Sequence, residues 1–545
     1  MADLEKAQQL FREALALQEK GDLGKAERLY VEALTLAPER PSIMNNLAAV
    51  YIKLKKYVEA KHLCERLLQM NPEDEGALIN LGSCQMKLNL AEGALLSWER
   101  VLKIRPNQVA ALTNRAPALL ELGRAEEALA SCEGALAMNP DSADALNNRG
   151  NALLQLGRDD EANASFERAI ILKPSDPDGY VRYGNALLSQ HRLQAAIAQY
   201  ERALDLAPDS RDAQFGLAGA RLYQQDFERA WPGVERRFEI EGYGMRHFRS
   251  ANVLDLFQRQ ARWRGPGQEG VRQVAIWAEQ GIGDQVMFST LIPDLIGAGV
   301  PLVYEVDQRL LRAYERAFPG IHFVAKDDPP HQALQSASHA LAAESLLTLF
   351  RRSRNDFSRQ PARLLSALPE RVAFYRRRLD ALQPGLKVGL TWFSSHNKGP
   401  ARRKSTSLAQ FAPLFGTAGV QFLDMQYGDT SIERNAVEAA SGVRLLRFDD
   451  VDYFKDLEEV LAILEACDLL ITTSNATAHF AGALGKPAWI VYPAARAPFH
   501  YWVPGPDGHS LWYPSVEIVS GPQLSDWRSV IEHAAEKLKM LAEAR

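Results

Sequence analysis

Residues 109–142, VAALTNRAPALLELGRAEEALASCEGALAMNPDS, are followed by residues 143–176, ADALNNRGNALLQLGRDDEANASFERAIILKPSD, and the second string restates the first at a shift of 34 residues. Outward from this pair, Pro38, Pro72, Pro106, Pro140, Pro174 and Pro208 keep the same spacing, each after a helical stretch. Proline stops a helix there and turns the chain toward the next one. Two rows of small residues run in register: Ala14, Ala48, Gly82, Ala116, Gly150, Gly184 and Ala218, and Ala26, Ala60, Ala94, Ala128, Ala162, Ala196 and Ala230. Helices approach closely only where side chains are this small. A period of this size marks stacked units that bury their apolar faces against their neighbours.

The period and its small residues resemble the tetratricopeptide repeat, with full units at 7–40, 41–74, 75–108, 109–142, 143–176 and 177–210 and a partial seventh to 236. The resemblance implies an α-solenoid over residues 1–236, a superhelix of antiparallel helix pairs whose first helices line a concave face. Asn46, Asn80, Asn114 and Asn148 share one position on that first helix. An amide both donates and accepts, so such a row suits the backbone of an extended acceptor peptide, and solvation of an exposed face is the alternative. The row resembles the inner surface of O-GlcNAc transferases. Arg182 interrupts it in the sixth unit, and Pro117 predicts a kink inside a first helix at a cost of ~3 kcal/mol.

The chain has 545 residues, more than one domain, with 46% hydrophobic residues and 63 Lys and Arg against 68 Asp and Glu, a net charge of −5. That balance excludes nucleic-acid or anionic-membrane binding through bulk charge. The amphipathic opening and the absence of any run near ~18 apolar residues lead us to expect neither signal peptide nor membrane span, and a cytoplasmic location. Cys64, Cys84, Cys132 and Cys467 form no C-x-x-C pair and are read as packing residues, too far apart for a disulfide framework.

After Trp231 the period ends. Residues 237–270 read as a linking segment, and from 271 apolar runs alternate with helical ones: RQVAIWAE, VPLVYEV, IHFVA, LKVGLTWF, VQFLDMQ, VRLLRF, CDLLITT and PAWIVYP. Continuous apolar strands between helices predict parallel sheets in α/β layers, here two Rossmann-like lobes at 271–385 and 386–545, with ligands at the carboxyl ends of the strands. The final stretch WRSVIEHAAEKLKMLAEAR reads as an amphipathic helix packed on the outside.

Three strand ends carry candidate chemistry. In WAEQGIGDQVMF, Gly281 and Gly283 permit a tight turn, and Asp284 opens a helix as a general base or simply as its cap. Glu279 and Gln280 lie in the same turn, and Glu279 is an alternative base. The loop after LKVGLTWF holds His396, Lys398, Arg402, Arg403 and Lys404, a basic set that suits a phosphate. After CDLLITT come Thr473, Ser474 and Asn475, then a helix opening with Ala476 and Thr477. Its N-terminal N–H groups suit a phosphate, small Ala478, Ala481 and Gly482 allow close approach, and His479 follows one turn on. His500 in PFHYW is a further candidate for the cleft. Asp450-Val451-Asp452 and Asp176-Pro177-Asp178 both spell D-x-D, a pattern too frequent here to imply a metal, and none is expected.

W-A-E-Q-G-x-G-D, S-N-x-T-A-H-F-A-G-A-L-G-K-P and the tail YW…LWYPSVEIV together resemble the heptosyltransferase-like domain of the glycosyltransferase family nine superfamily, over residues 231–545. This resemblance implies a GT-B fold that transfers a sugar from a nucleotide-sugar donor, which is a substrate, without a further cofactor. It implies Asp284 as acceptor base, Ser474, Asn475, Thr477 and His479 around the donor phosphates, and Lys404 as the loop lysine, with Arg403 beside it. Ser474-Asn475 stands where many relatives carry Asp-Thr, which leaves nucleotide and sugar open. A repeat superhelix joined to such a domain is the layout of O-GlcNAc transferase and of bacterial soluble flagellin glycosyltransferases. Three readings follow: a glycosyltransferase acting on Ser or Thr of a protein captured by the repeats, with flagellin the best guess; an inactive adaptor; or a glycosyltransferase acting on a lipid-linked saccharide.

Overall fold

The computed structural model describes residues 2–240, 248, 250–382, 384–394, 405–493, 499–521 and 526–544. The chain divides into two compact units, residues 1–186 and 187–545. In the first, helices pair as the period predicts: Glu75–Lys87 with Ala91–Ile104, Val109–Glu121 with Ala125–Met138, Ala143–Gln155 with Asp159–Leu172. Asp74, Gln108 and Ser142 accept N–H bonds at the starts of first helices. Left-handed residues end them at Gly21, Lys55, Asn89, Gly123 and Gly157, one repeat apart. The helix Val109–Glu121 runs on through Pro117.

Glycine in the repeat is a matter of close approach. A Cβ on Gly82 would stand 2.5 Å from the Trp98 ring, and one on Gly150 would stand 2.7 Å from Phe166. Where the second helix brings the smaller Cys64, the first can carry Ala48, and the two pack in one cluster. Large and small thus trade across the helix pair. The superhelix also brings Cys64 close to Cys84, and the neighbouring thiol together with burial pushes the Cys64 thiol up. All four cysteines are buried and free, but the distance in sequence between these two was misleading about their distance in space.

In the second unit the last repeat helices share a core with the α/β elements. Leu222, Phe227, Trp231 and Val234 pack in one cluster with Trp263, Val274, Ile276 and Val286. The buried Trp231 Nε1 donates to the Arg351 carbonyl at 2.6 Å.

Two five-stranded parallel sheets follow. The first comprises β1 (Ala261–Arg262), β2 (Val274–Trp277), β3 (Leu302–Val306), β4 (His322–Ala325) and β5 (His339–Ala342), in the order β1-β5-β2-β3-β4. The second comprises β6 (Leu386–Thr391), β7 (Val420–Asp424), β8 (Leu469–Thr472), β9 (Ala488–Val491) and β10 (Val516–Val519), in the order β10-β9-β8-β6-β7. β2, β3, β6, β8 and β9 are buried along their whole length, which is why they read as unbroken apolar runs.

β5 and β10 lie in none of the apolar runs read as strands, and the structure departs from the sequence reading at two further places. Residues 237–270, read as a link, contribute the helix Ala251–Arg259, which packs Val253 and Phe257 on Ala275 and Trp277, and the edge strand β1. VRLLRF, read as a strand, makes one isolated bridge, Leu446 to Leu423. The final helix Trp527–Glu543 lays Val530, Ile531, Ala534 and Leu538 on the second sheet.

Candidate functional site

In the first sheet β3 and β4 lie to one side of β2 and β5 to the other, so the strand order switches sides at β2. In the second sheet β7 lies to one side of β6 and β8 to the other. Such switch points open a crevice that loops line but no strand fills. The turn after β2 and the turn after β8 come together: a Cβ on Gly283 would stand 2.9 Å from His479 Cδ2 and 3.4 Å from Ala476 Cα. Gly283 is thus required by the contact between two helices, Ile282–Phe288 and Ala476–Ala483. The left-handed residue of the turn is Gln280, at φ 62°, while Gly281 keeps an ordinary negative φ.

Asp284 is half-buried and caps its helix at the carboxyl end of β2. Its Oδ2 accepts the Gly281 N–H at 3.3 Å, and its Oδ1 faces the Tyr501 hydroxyl at 3.5 Å. Burial and the Asp284 charge hold the Tyr501 hydroxyl protonated, far above the usual phenol range. Glu279 is a different case, and its reading as a base is corrected. It is 0% exposed and pairs with the equally buried Arg237, Oε1 to Nη2 at 2.9 Å and Oε2 to Nε at 3.3 Å. Arg237 also holds Glu235 Oε1 at 2.8 Å and Glu344 Oε2 at 3.0 Å, and Gln280 Nε2 donates to Glu344 Oε2 at 2.8 Å. Burial, against the pull of Arg237 and with Glu279, Asp284 and Glu235 nearby, pushes the Glu344 carboxyl up to about 8. Arg237 falls outside the repeat period and Glu344 outside every motif, so neither was legible before folding.

The residues after β8 are spent on one another. Asn475 caps its helix, Oδ1 accepting from Thr477 N at 3.1 Å and Ala478 N at 3.3 Å, while its Nδ2 donates to Thr391 Oγ1 at 3.0 Å. Ser474 Oγ accepts the Trp502 indole at 3.1 Å. Ser474, Asn475, Thr477 and His479 are 2%, 6%, 5% and 3% exposed. The cap therefore occupies the N–H groups of Thr477 and Ala478 that the sequence reading offered to a phosphate. His479 sits among Tyr501, Trp502 and Tyr513, with ring centroids at 5.3, 4.8 and 5.8 Å, and its Nδ1 meets the Tyr513 hydroxyl at 3.1 Å. One buried atom of this turn, Thr473 Oγ1, has no hydrogen-bond partner among the described residues. His396, Lys398, Arg402, Arg403 and Lys404 lie outside the described residues. His500 turns its ring toward Tyr223, and burial brings it down to about 4. Asp450 pairs with Arg378 at 3.0 Å and Asp452 accepts the Phe454 N–H at 2.9 Å, so both carboxylates of that D-x-D serve local structure.

The asparagine row is not uniform. Asn46 Nδ2 donates to Ser42 O in its own helix at 2.9 Å. Asn80 donates to Asn45 O at 3.4 Å and Asn148 to Thr113 O at 2.9 Å, stitching each unit to the one before. The equivalent carbonyl for Asn114, that of Ile79, takes the Trp98 indole instead at 3.4 Å. Asn114 and Asn148 line a cavity of about 590 Å³ with Thr113, Asn147, Asp144 and Arg182. Asn114 and Asn148 are the two members of the row that line this cavity.

Residues 11–61, 113–177 and 183–240 match one family profile described as tetratricopeptide repeat, and residues 54–116 match a second. The N-terminal part of the chain is a tetratricopeptide-repeat solenoid. Over 295 residues the chain is 31% identical to Protein FlbA of Caulobacter vibrioides, covering 52% of this chain and 48% of FlbA, so it spans about half the length of that curated relative. A thermophilic repeat protein of Thermus thermophilus is 30% identical, covering 34% of this chain and 100% of its own, at a TM-score of 0.32. A repeat protein from Parabacteroides merdae is 21% identical, covering 43% of this chain and 92% of its own, at a TM-score of 0.37. Among the described residues no helix is long and apolar enough to cross a membrane.

Proposed function

We propose that the chain is a GT-B-type glycosyltransferase that transfers a sugar from a nucleotide-sugar to Ser or Thr of a protein held by its repeats. The observation that carries this reading is Asp284, a half-buried carboxylate at the switch point of one parallel sheet and beside the helix that follows the switch point of the other. In such a place a carboxylate can take the proton of an acceptor hydroxyl as that oxygen attacks the anomeric carbon and the nucleotide leaves, a role worth about 10²- to 10⁴-fold in rate. Thr473 Oγ1, buried without a partner among the described residues, gives a bound donor a group to bond. The resemblance of the motifs makes flagellin the first acceptor to try, and Lys404 and Arg403 remain the proposed phosphate contacts.

A second reading is favoured by the closed state of Ser474, Asn475 and Thr477, whose groups serve the helix cap and Trp502: an adaptor that binds protein without transferring sugar. One experiment separates the two. The full chain is incubated with a panel of nucleotide-sugars and flagellin, and intact mass is read with native Asp284 and with Asp284→Asn. The enzyme reading expects a sugar-sized mass gain whose rate Asp284→Asn reduces about 100-fold with acceptor binding unchanged. No mass gain with any donor, together with no nucleotide binding, supports the adaptor.

A further inference from the structure

We infer that the cavity between the first helices of the fourth, fifth and sixth repeats selects an extended peptide segment carrying an acidic side chain, whose carboxylate Arg182 receives. The inference rests on reading the repeats as the part that captures a protein. It adds the chemistry of what is captured.

Four observations support it. Arg182 stands at the repeat position held by asparagine in four earlier units, it is exposed, and among the described residues no acceptor pairs with it. A guanidinium is a planar fork of donors that matches a carboxylate. Asp144, the cavity's own carboxylate, is matched by Lys173 at 3.4 Å, which leaves Arg182 as the uncompensated charge among the described lining residues. Thr113 and Asn147, 8% and 5% exposed, carry Oγ1 and Oδ1 atoms without partners among the described residues, and both residues line the cavity. Finally, the carbonyl of Ile79, which would receive Asn114 as the equivalent carbonyls receive Asn80 and Asn148, is held by Trp98.

The donor and acceptor balance identifies the class of ligand. Asn147 Oδ1 only accepts, so its partner must bring an N–H or O–H. An ionised phosphate or free carboxylate supplies acceptors in its place. A peptide backbone supplies N–H and C=O groups along its length, which Asn114, Asn148 and Thr113 can meet, and an Asp or Glu side chain supplies the anion. Backbone contacts give affinity without reading sequence, so the acidic residue sets the register.

The test uses the full chain on an array of random nonapeptides capped as N-acetyl and C-amide, so that no terminal charge is present. Asp or Glu should be enriched at one register, and changing that residue to Asn or Gln in the best peptide should weaken binding about tenfold. Arg182→Gln should bring the acidic and amide peptides to equal affinity, and Arg182→Glu should reverse the enrichment to Lys and Arg. Asn147→Leu should weaken both peptides alike and leave their ratio unchanged. Because Arg182 is exposed, thermal melts of its variants should match the native chain. No peptide binding, no acidic enrichment, a ratio that survives Arg182→Gln, or a preference seen only with uncapped C-termini would each overturn the inference. The assay uses no sugar-nucleotide, so Asp284→Asn should keep the full preference, and failure of sugar transfer leaves this result standing.

Discussion

Arg237 is the residue on which the second unit's electrostatics turn. Its single positive charge, with the part-exposed Arg262 on the flank, faces the fully buried Glu279 and the mostly buried Glu235 and Glu344. With all three carboxylates ionised the group carries one excess negative charge, and a proton on Glu344 balances it. Arg237→Met leaves Glu279 and Glu344 buried without a counter-charge, while Glu235 keeps Arg262, so urea unfolding of the second unit should lose about 3–5 kcal/mol. The proton on Glu344 has its own signature. Its folded value of about 8 exceeds the ordinary 4.5, so the folded chain keeps a proton that the unfolded chain releases. The stability it contributes is complete below 4.5 and is lost as pH rises through 8. Glu344→Gln should flatten that part of the stability profile in urea melts between about pH 5 and 8, and an unchanged slope would refute the assignment.

At the scale of the helix pair, the repeat holds a trade between facing positions. Gly82 admits Trp98, and Ala48 accompanies Cys64. Gly82→Ala forces the indole aside and should cost about 1–3 kcal/mol in a thermal melt. Trp98→Cys should also destabilise, by leaving a cavity. The double variant recreates the Ala and Cys pairing used in the neighbouring unit, so its cost should fall short of the sum of the two. The small residues were legible in the sequence because the period aligns them. The aromatic partners were not, since large and small trade places from unit to unit and leave no constant residue to notice. The turn after β2 makes the same point: two glycines announced a turn, yet the left-handed residue is Gln280, and Gly283 is required by a helix from far along the chain.

For the whole molecule, the boundary of the second compact unit falls at Leu187, inside the repeat array. A fragment of residues 187–545 should therefore melt cooperatively by circular dichroism. A fragment of 237–545 removes Leu222, Phe227, Trp231 and Val234 from a shared core, each worth about 1.5–3 kcal/mol, and should be insoluble or melt without a transition. Equal melting of both fragments would show that the repeat helices are dispensable to that core. The sequence by itself determined the repeat length, the helix pairs, the buried parallel strands and the polar turns at their carboxyl ends, because local periodicity and turn chemistry depend on residues close together in the chain. Only the tertiary structure decided that Glu279 is a buried partner of Arg237, that Asn475 closes its own helix, that a supposed link supplies an edge strand, and that Arg182 faces its cavity without a counter-charge among the described residues. Each of these depends on which distant groups meet where water is excluded, and that is set by packing across long stretches of chain.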